Sequence, residues 1–179
     1  MRKLIIPVVL MLVMVQSLVA QNAMTGWEKW QYMMGAWNGE GSGQPGSGSG
    51  SYTLKPKLGA CILERKGVTD IPAMNGRPAV HHEDVMIIYK NKDGNPVKAL
   101  YFDNENHVIP YDITYSDNRI ILVSEVNQGA PRFRLTYEKM EDKLMNIKFE
   151  MAMPGAPEDF KMYLEGKNRK TKELSEMTP

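Results

Sequence analysis

The chain has 179 residues, with 22 Lys and Arg against 21 Asp and Glu and a formal charge of +1. So even a balance gives no electrostatic footing for a nucleic acid or an anionic membrane surface as partner. A single cysteine, Cys61, excludes an internal disulfide, so the fold must rest on packing and backbone hydrogen bonds.

Residues 1–20 read as a secretory signal peptide. Arg2 and Lys3 form a positive head, an apolar run follows from Leu4 to Val15, and Ser17-Leu18-Val19-Ala20 is a small-residue exit before Gln21. The run is shorter than the ~20 residues a helix needs to span a bilayer. No later segment is continuously apolar, so no membrane span is expected. Gln21, not a cysteine, follows the expected cut, which argues against a lipid anchor. Export then leaves a periplasmic or secreted protein with one domain over residues 21–169, long enough to bury a core. Cleavage removes two cations and moves the formal charge from +1 to −1.

Thr25-Gly26-Trp27-Glu28 opens a short helix, with Thr25 as cap and Glu28 reaching back in a capping box. Trp27, Trp30 and Met34 form one apolar stripe, and Gly35 ends the helix. From Ala36 onward the period becomes two. Met145, Ile147, Phe149, Met151 and Met153 point one way, and Leu144, Asn146, Lys148, Glu150 and Ala152 the other. Phe133, Leu135 and Tyr137 alternate in the preceding run, and Phe160, Met162 and Leu164 in the following one. Such alternation marks half-buried antiparallel strands.

Turn signals divide the runs: Lys92-Asp93-Gly94-Asn95, Ser116-Asp117-Asn118, Gln128-Gly129, Glu141-Asp142 and Pro154-Gly155. About ten candidate strands result, with near-neighbour connections and no crossover helices. The fold class is therefore all-β, an antiparallel up-and-down barrel, since closure removes exposed edges. Gly39 to Ser51 reads as a hairpin with a flexible tip at Pro45-Gly46. Residues 170–179 read as a disordered polar tail. Cys61, within Gly59-Ala60-Cys61-Ile62-Leu63, reads as an inert thiol in a buried strand.

The helix leads into Gly35-Ala36-Trp37, followed by Asn38-Gly39-Glu40-Gly41. A G-x-W on the first strand after a short helix resembles the opening of the lipocalin and calycin barrels. The continuation resembles a bacterial lipocalin-like branch whose opening reads much like G-x-W-x-G-E-G. The closing region, Arg134-Leu135-Thr136-Tyr137 through Met162-Tyr163-Leu164-Glu165-Gly166, is similar to that branch too, so the resemblance covers most of residues 27–169. It implies a cup with an apolar interior and carries over no particular ligand. In calycins a cation from the end of the last strand commonly packs on that tryptophan. Lys167 and Arg169 are the matching positions here, Arg169 favoured because a guanidinium stacks better on an indole. A distant resemblance to nitrobindin, a haem-binding barrel with a late histidine on the iron, meets a sequence with no histidine after His107.

Catalytic and metal signals are weak. His82-Glu83-Asp84-Val85-Met86 begins like the zinc-protease motif H-E-x-x-H but places Met86 where the second histidine belongs. On a strand, His81 and His82 face opposite sides and cannot share an ion. Asp103, Glu105 and His107 offer an acid/base group at a place where solvated turn residues also belong. Gly41-Ser42-Gly43-Gln44-Pro45-Gly46 fits G-x-G-x-x-G without the helix that phosphate binding needs. No metal or cofactor is assigned.

The expected function is thus the binding of a small, mainly apolar molecule, lipid-like or aromatic, inside the barrel. Trp37, Tyr101, Tyr111, Phe133, Tyr137, Met145, Phe149, Met151 and Met162 line it, with Arg65 or His107 as polar anchor. Methionine suits a wall that must fit varied apolar partners, and a barrel of ten strands is wide for side chains alone to fill. A haem protein or enzyme on the same barrel, or a filled barrel acting through its surface, are the alternatives.

Overall fold

The computed structural model describes residues 24–40, 49–73, 76 and 78–177. The expected signal peptide and the hairpin tip at Pro45-Gly46 lie outside the described residues. Ten strands follow in order: β1 (Gly35–Glu40), β2 (Ser49–Lys57), β3 (Ile62–Ile71), β4 (Val80–Tyr89), β5 (Lys98–Asp103), β6 (Val108–Ser116), β7 (Arg119–Ser124), β8 (Arg132–Glu141), β9 (Leu144–Ala152) and β10 (Lys161–Lys172). Each pairs antiparallel with its neighbour in sequence, and β1 pairs with β10 to close the barrel. Closure leaves no unpaired edge to attract a second chain. No helix among the described residues is long and apolar enough to cross a membrane.

A 3-10 helix, Glu28–Met33, plugs the end at which β1 begins, here called the lower end. Its period is three residues per turn, so Trp27, Trp30 and Met33 share its buried face. The capping box does not form. Trp27 is the N-cap, and the Glu28 carboxylate accepts from the Gly26 N–H at 2.9 Å. Each buried indole has found an acceptor, as an N–H inside a core must. Trp27 Nε1 donates to the Ala60 carbonyl at 2.7 Å, Trp30 Nε1 to the Tyr115 hydroxyl at 2.8 Å, and Trp37 Nε1 to the Met33 carbonyl at 2.8 Å.

Above this plug the lower lumen is packed solid by Leu54, Leu63, Met86, Ile88, Ile113, Ile120, Leu122 and Met145. Each such side chain contributes about 1.5–3 kcal/mol by leaving water. The opposite faces of β8 and β9 carry charge ladders. Arg134 grips Glu150 through two hydrogen bonds of 2.6 Å, and Arg119 pairs with Glu138 at 2.7 Å.

Three sequence expectations are corrected at the chain's bends and end. Cys61 is exposed: it closes a turn in which Leu58, Gly59 and Ala60 all have positive φ, and Ala60 takes the buried place. Strand β10 runs to Lys172 and a second 3-10 helix covers Leu174–Glu176, so the polar tail is folded through that point. The cation over Trp37 is Lys170, 5.2 Å from the ring, because Lys170 is the direct partner of Trp37 across the closing seam. Arg169 lies opposite Asn38 on the other face.

Met162, expected on the inward face, points outward. Strand β10 bulges at Tyr163, so Leu164 pairs with Phe149 while Met162 pairs with Glu150. One extra residue reverses the facing of everything before it. Met162 is therefore outside and 51% exposed. Met162→Lys is expected to leave stability within about 0.5 kcal/mol. Met145→Lys, which places an ammonium in the sealed lower lumen, is expected to abolish cooperative unfolding. Urea titrations that moved both variants equally would refute this facing.

Candidate functional site

Strand register sorts the lumen into rows. Gly166, Ile147 and Tyr137 form one row across β10, β9 and β8. Leu164, Phe149 and Leu135 form the next row toward the upper end, and Met151 pairs with Phe133 above that. Unlike the lower lumen, this wall is not sealed. Ile147, Phe149, Met151 and Phe133 are only partly buried, and Leu164 is 56% exposed although it shares their face. A Cβ built on Gly166 would meet nothing within 4 Å. An inward position with open space beside it marks room in the upper lumen.

The facing wall is polar. Arg65 and Asp84 form an ion pair inside the barrel, with side chains 16% and 8% exposed. Gly67 makes this pair possible: it lies opposite Asp84, and a Cβ there would collide with the Asp84 carboxylate. The Arg65 guanidinium lies over the Tyr52 ring at 4.6 Å, and Tyr52 stacks on Trp37 with centroids 6.2 Å apart. Tyr101, Tyr111 and Tyr137 lie within electrostatic reach of Arg65. Burial raises the pKa of Tyr52, Tyr111 and Tyr137, so each keeps its O–H at neutral pH.

Three buried atoms of this cluster lack a hydrogen-bond partner: Arg65 Nε, the Tyr52 hydroxyl and the Tyr137 hydroxyl. Leaving a buried polar group unpaired costs about 1–3 kcal/mol each. Such expense inside a packed barrel needs a reason, and a ligand atom that completes the set is one.

The rim beside this wall carries the histidines. His82 Nε2 is 3.0 Å from the Tyr101 hydroxyl and its Nδ1 is 3.3 Å from Glu105. His81 lies 2.6 Å from Asp70, and its hydrogen bonds to Asp70 and Glu83 hold its pKa above the ordinary value. Asp103 accepts from the backbone N–H groups of Glu105 and His107 and from His107 Nδ1, at 2.9, 3.0 and 2.9 Å. Asp103, Glu105 and His107 thus build the β5–β6 turn, and His107 is spent on the rim, not anchored beside Arg65. With each histidine engaged by a carboxylate, the arrangement does not favour iron ligation. No group of three metal-ligating side chains occurs among the described residues.

The eleven expected lining residues therefore divide by depth. Arg65, Tyr101, Phe133, Phe149 and Met151 surround the unsealed upper lumen. Trp37, Tyr111, Tyr137 and Met145 are sealed beneath it, where Tyr137 alone offers the space above a polar atom without a partner. His107 is on the rim and Met162 outside. Asp84, Tyr52, Gly67 and Gly166 escaped sequence reasoning. An arginine in phase with buried Leu63 is a signal that a partner lies across the sheet, and inward glycines are legible only once facing is known. A cleft of about 140 Å³ lined by Tyr32, Tyr115 and Lys139 lies outside the lumen and is small for an organic ligand. No family model matches the chain, and no curated protein matches it.

Proposed function

We propose that this is an exported, lipocalin-like binding protein that holds one small, mainly apolar molecule in the upper half of its barrel. The open space beside inward-facing Gly166, under the half-buried wall of Phe133, Phe149, Met151 and Leu164, is the observation that carries the reading. Apolar surface left accessible inside a closed barrel gains by covering it, about 25 cal/mol for each Å². Arg65 and Tyr101 stand on the opposite wall as the polar end. The position of Trp37 on the first strand, with a cation from the last strand over its ring, supports placing the barrel among the calycins. The layout of residues 1–20 supports a periplasmic or secreted location.

Native mass spectrometry of residues 21–179, expressed with export and purified without detergent, tests the reading against a delipidated sample. A stoichiometric adduct lost on delipidation is expected. A clean mass that stays clean after incubation with mixed lipids would overturn it. Gly166→Phe directs a ring into the open space and is expected to cut uptake at least about tenfold, while an unchanged circular-dichroism spectrum shows the barrel intact. Full uptake by that variant would place the ligand elsewhere.

A further inference from the structure

We infer that the molecule held in the upper lumen carries an uncharged hydrogen-bond acceptor, such as an ester or ketone carbonyl, and neither a carboxylate nor an amine. The inference rests on the binding function proposed above and deepens it. Of the charged side chains that face inward, Arg65 and Asp84 compensate each other, Lys170 pairs with Glu173, and Asp103 is engaged by His107. A carboxylate brought beside them would leave one negative charge without a counterion in a poorly hydrated space, and an ammonium one positive charge. The groups nearest on the rim make an anion less welcome still, since Asp103 and Glu105 line the β5–β6 turn and His82 already faces Glu105.

What the pocket lacks is an acceptor. Arg65 Nε can only donate, and the hydroxyls of Tyr52 and Tyr137 keep their protons. The Arg65 guanidinium lies on the Tyr52 ring, and Tyr137 interacts electrostatically with both. Tyr137 shares its row with Ile147 and Gly166, which places this cluster on the border of the open space. A carbonyl oxygen has two lone pairs and brings no charge, so it can take two of these donors at once. The apolar body of the molecule then lies along Phe149, Phe133 and Leu164.

The test uses the uncharged dye N-phenyl-1-naphthylamine as reporter on the mature chain, displaced by methyl octanoate, octanoate or octylamine. The three competitors share a chain and differ at the head. Displacement by the ester at a concentration at least about tenfold below either charged competitor is expected. Tyr52→Phe with Tyr137→Phe is expected to raise the ester concentration needed for displacement at least about tenfold while the dye still binds. Octanoate or octylamine matching the ester would overturn the acceptor inference and leave the lumen site standing. Failure of the dye and of all three competitors to bind would overturn both.

Discussion

Asp84→Ala is expected to destabilise the protein by about 3–5 kcal/mol, the cost of leaving a buried guanidinium without its counterion. In a domain of this size that corresponds to a fall in Tm of roughly 6–20 °C. The effect is large because Arg65 cannot escape. Its stem rises from β3 between Leu63 and Gly67, its guanidinium lies on Tyr52, and Gly67 has cleared the space that only Asp84 fills. A surface ion pair in this protein, such as Lys161 with Asp159, is worth less than about 1 kcal/mol, since water replaces the lost partner.

The second arm of the experiment separates charge from packing. Arg65→Met combined with Asp84→Ala removes both charges of the pair and is expected to recover most of the loss. Additive damage in the double variant, read from urea titrations, would mean that the two side chains act independently and that the ion pair is not the unit. The same double variant is expected to need more of the ester for displacement, since Arg65 Nε is one of the donors offered to it. The ion pair therefore has a reason to persist although an apolar pair would be at least as stable: it holds a donor in place for what the cup accepts.

The parts of this molecule legible in sequence are those with an unbroken period. Strands β8 and β9 alternate without interruption from Phe133 to Tyr137 and from Met145 to Met151, so their inward faces were readable, as was the closed barrel that ten such runs build. The failures have local causes. No glycine or proline marks the bulge at Tyr163, and one unpaired residue is enough to send Met162 outward. In β4 both faces are apolar, with Met86 and Ile88 inside and Val85 and Ile87 outside, so nothing announced that Asp84 points into the lumen. The end of β10 reads as tail because Asn168 and Lys170 are its inward residues, and their partners are the glycine and tryptophan of β1. The helix departs from expectation in its cap, which is Trp27, and in its period: three residues per turn bring Met33, not Met34 alone, onto the stripe with both tryptophans.

Trp37→Ala is expected to cost about 3–5 kcal/mol, comparable to the loss of Asp84 but by a different route. Trp37 is fully enclosed at the seam where the barrel closes. Its removal takes away an indole hydrogen bond to the Met33 carbonyl that ties the plugging helix to β1, the stacked face for Tyr52, and the ring beneath the Lys170 ammonium. The Lys170 side chain is 5% exposed and also pairs with Glu173, so the cation stays buried after the ring has gone. Backbone pairing of β1 with β10 joins the two ends of the sheet, and its register shifts between Ala36 and Trp37, beside the removed indole. Opening should therefore begin there. Hydrogen exchange is expected to show the β1 and β10 amides of Trp37→Ala losing protection well before those of β3 and β4. Uniform loss across all ten strands would mean that the seam is no weaker than the rest and that Trp37 is ordinary core. The contrast with Asp84 is then direct, since that variant disturbs β3 and β4 first and leaves the seam closed.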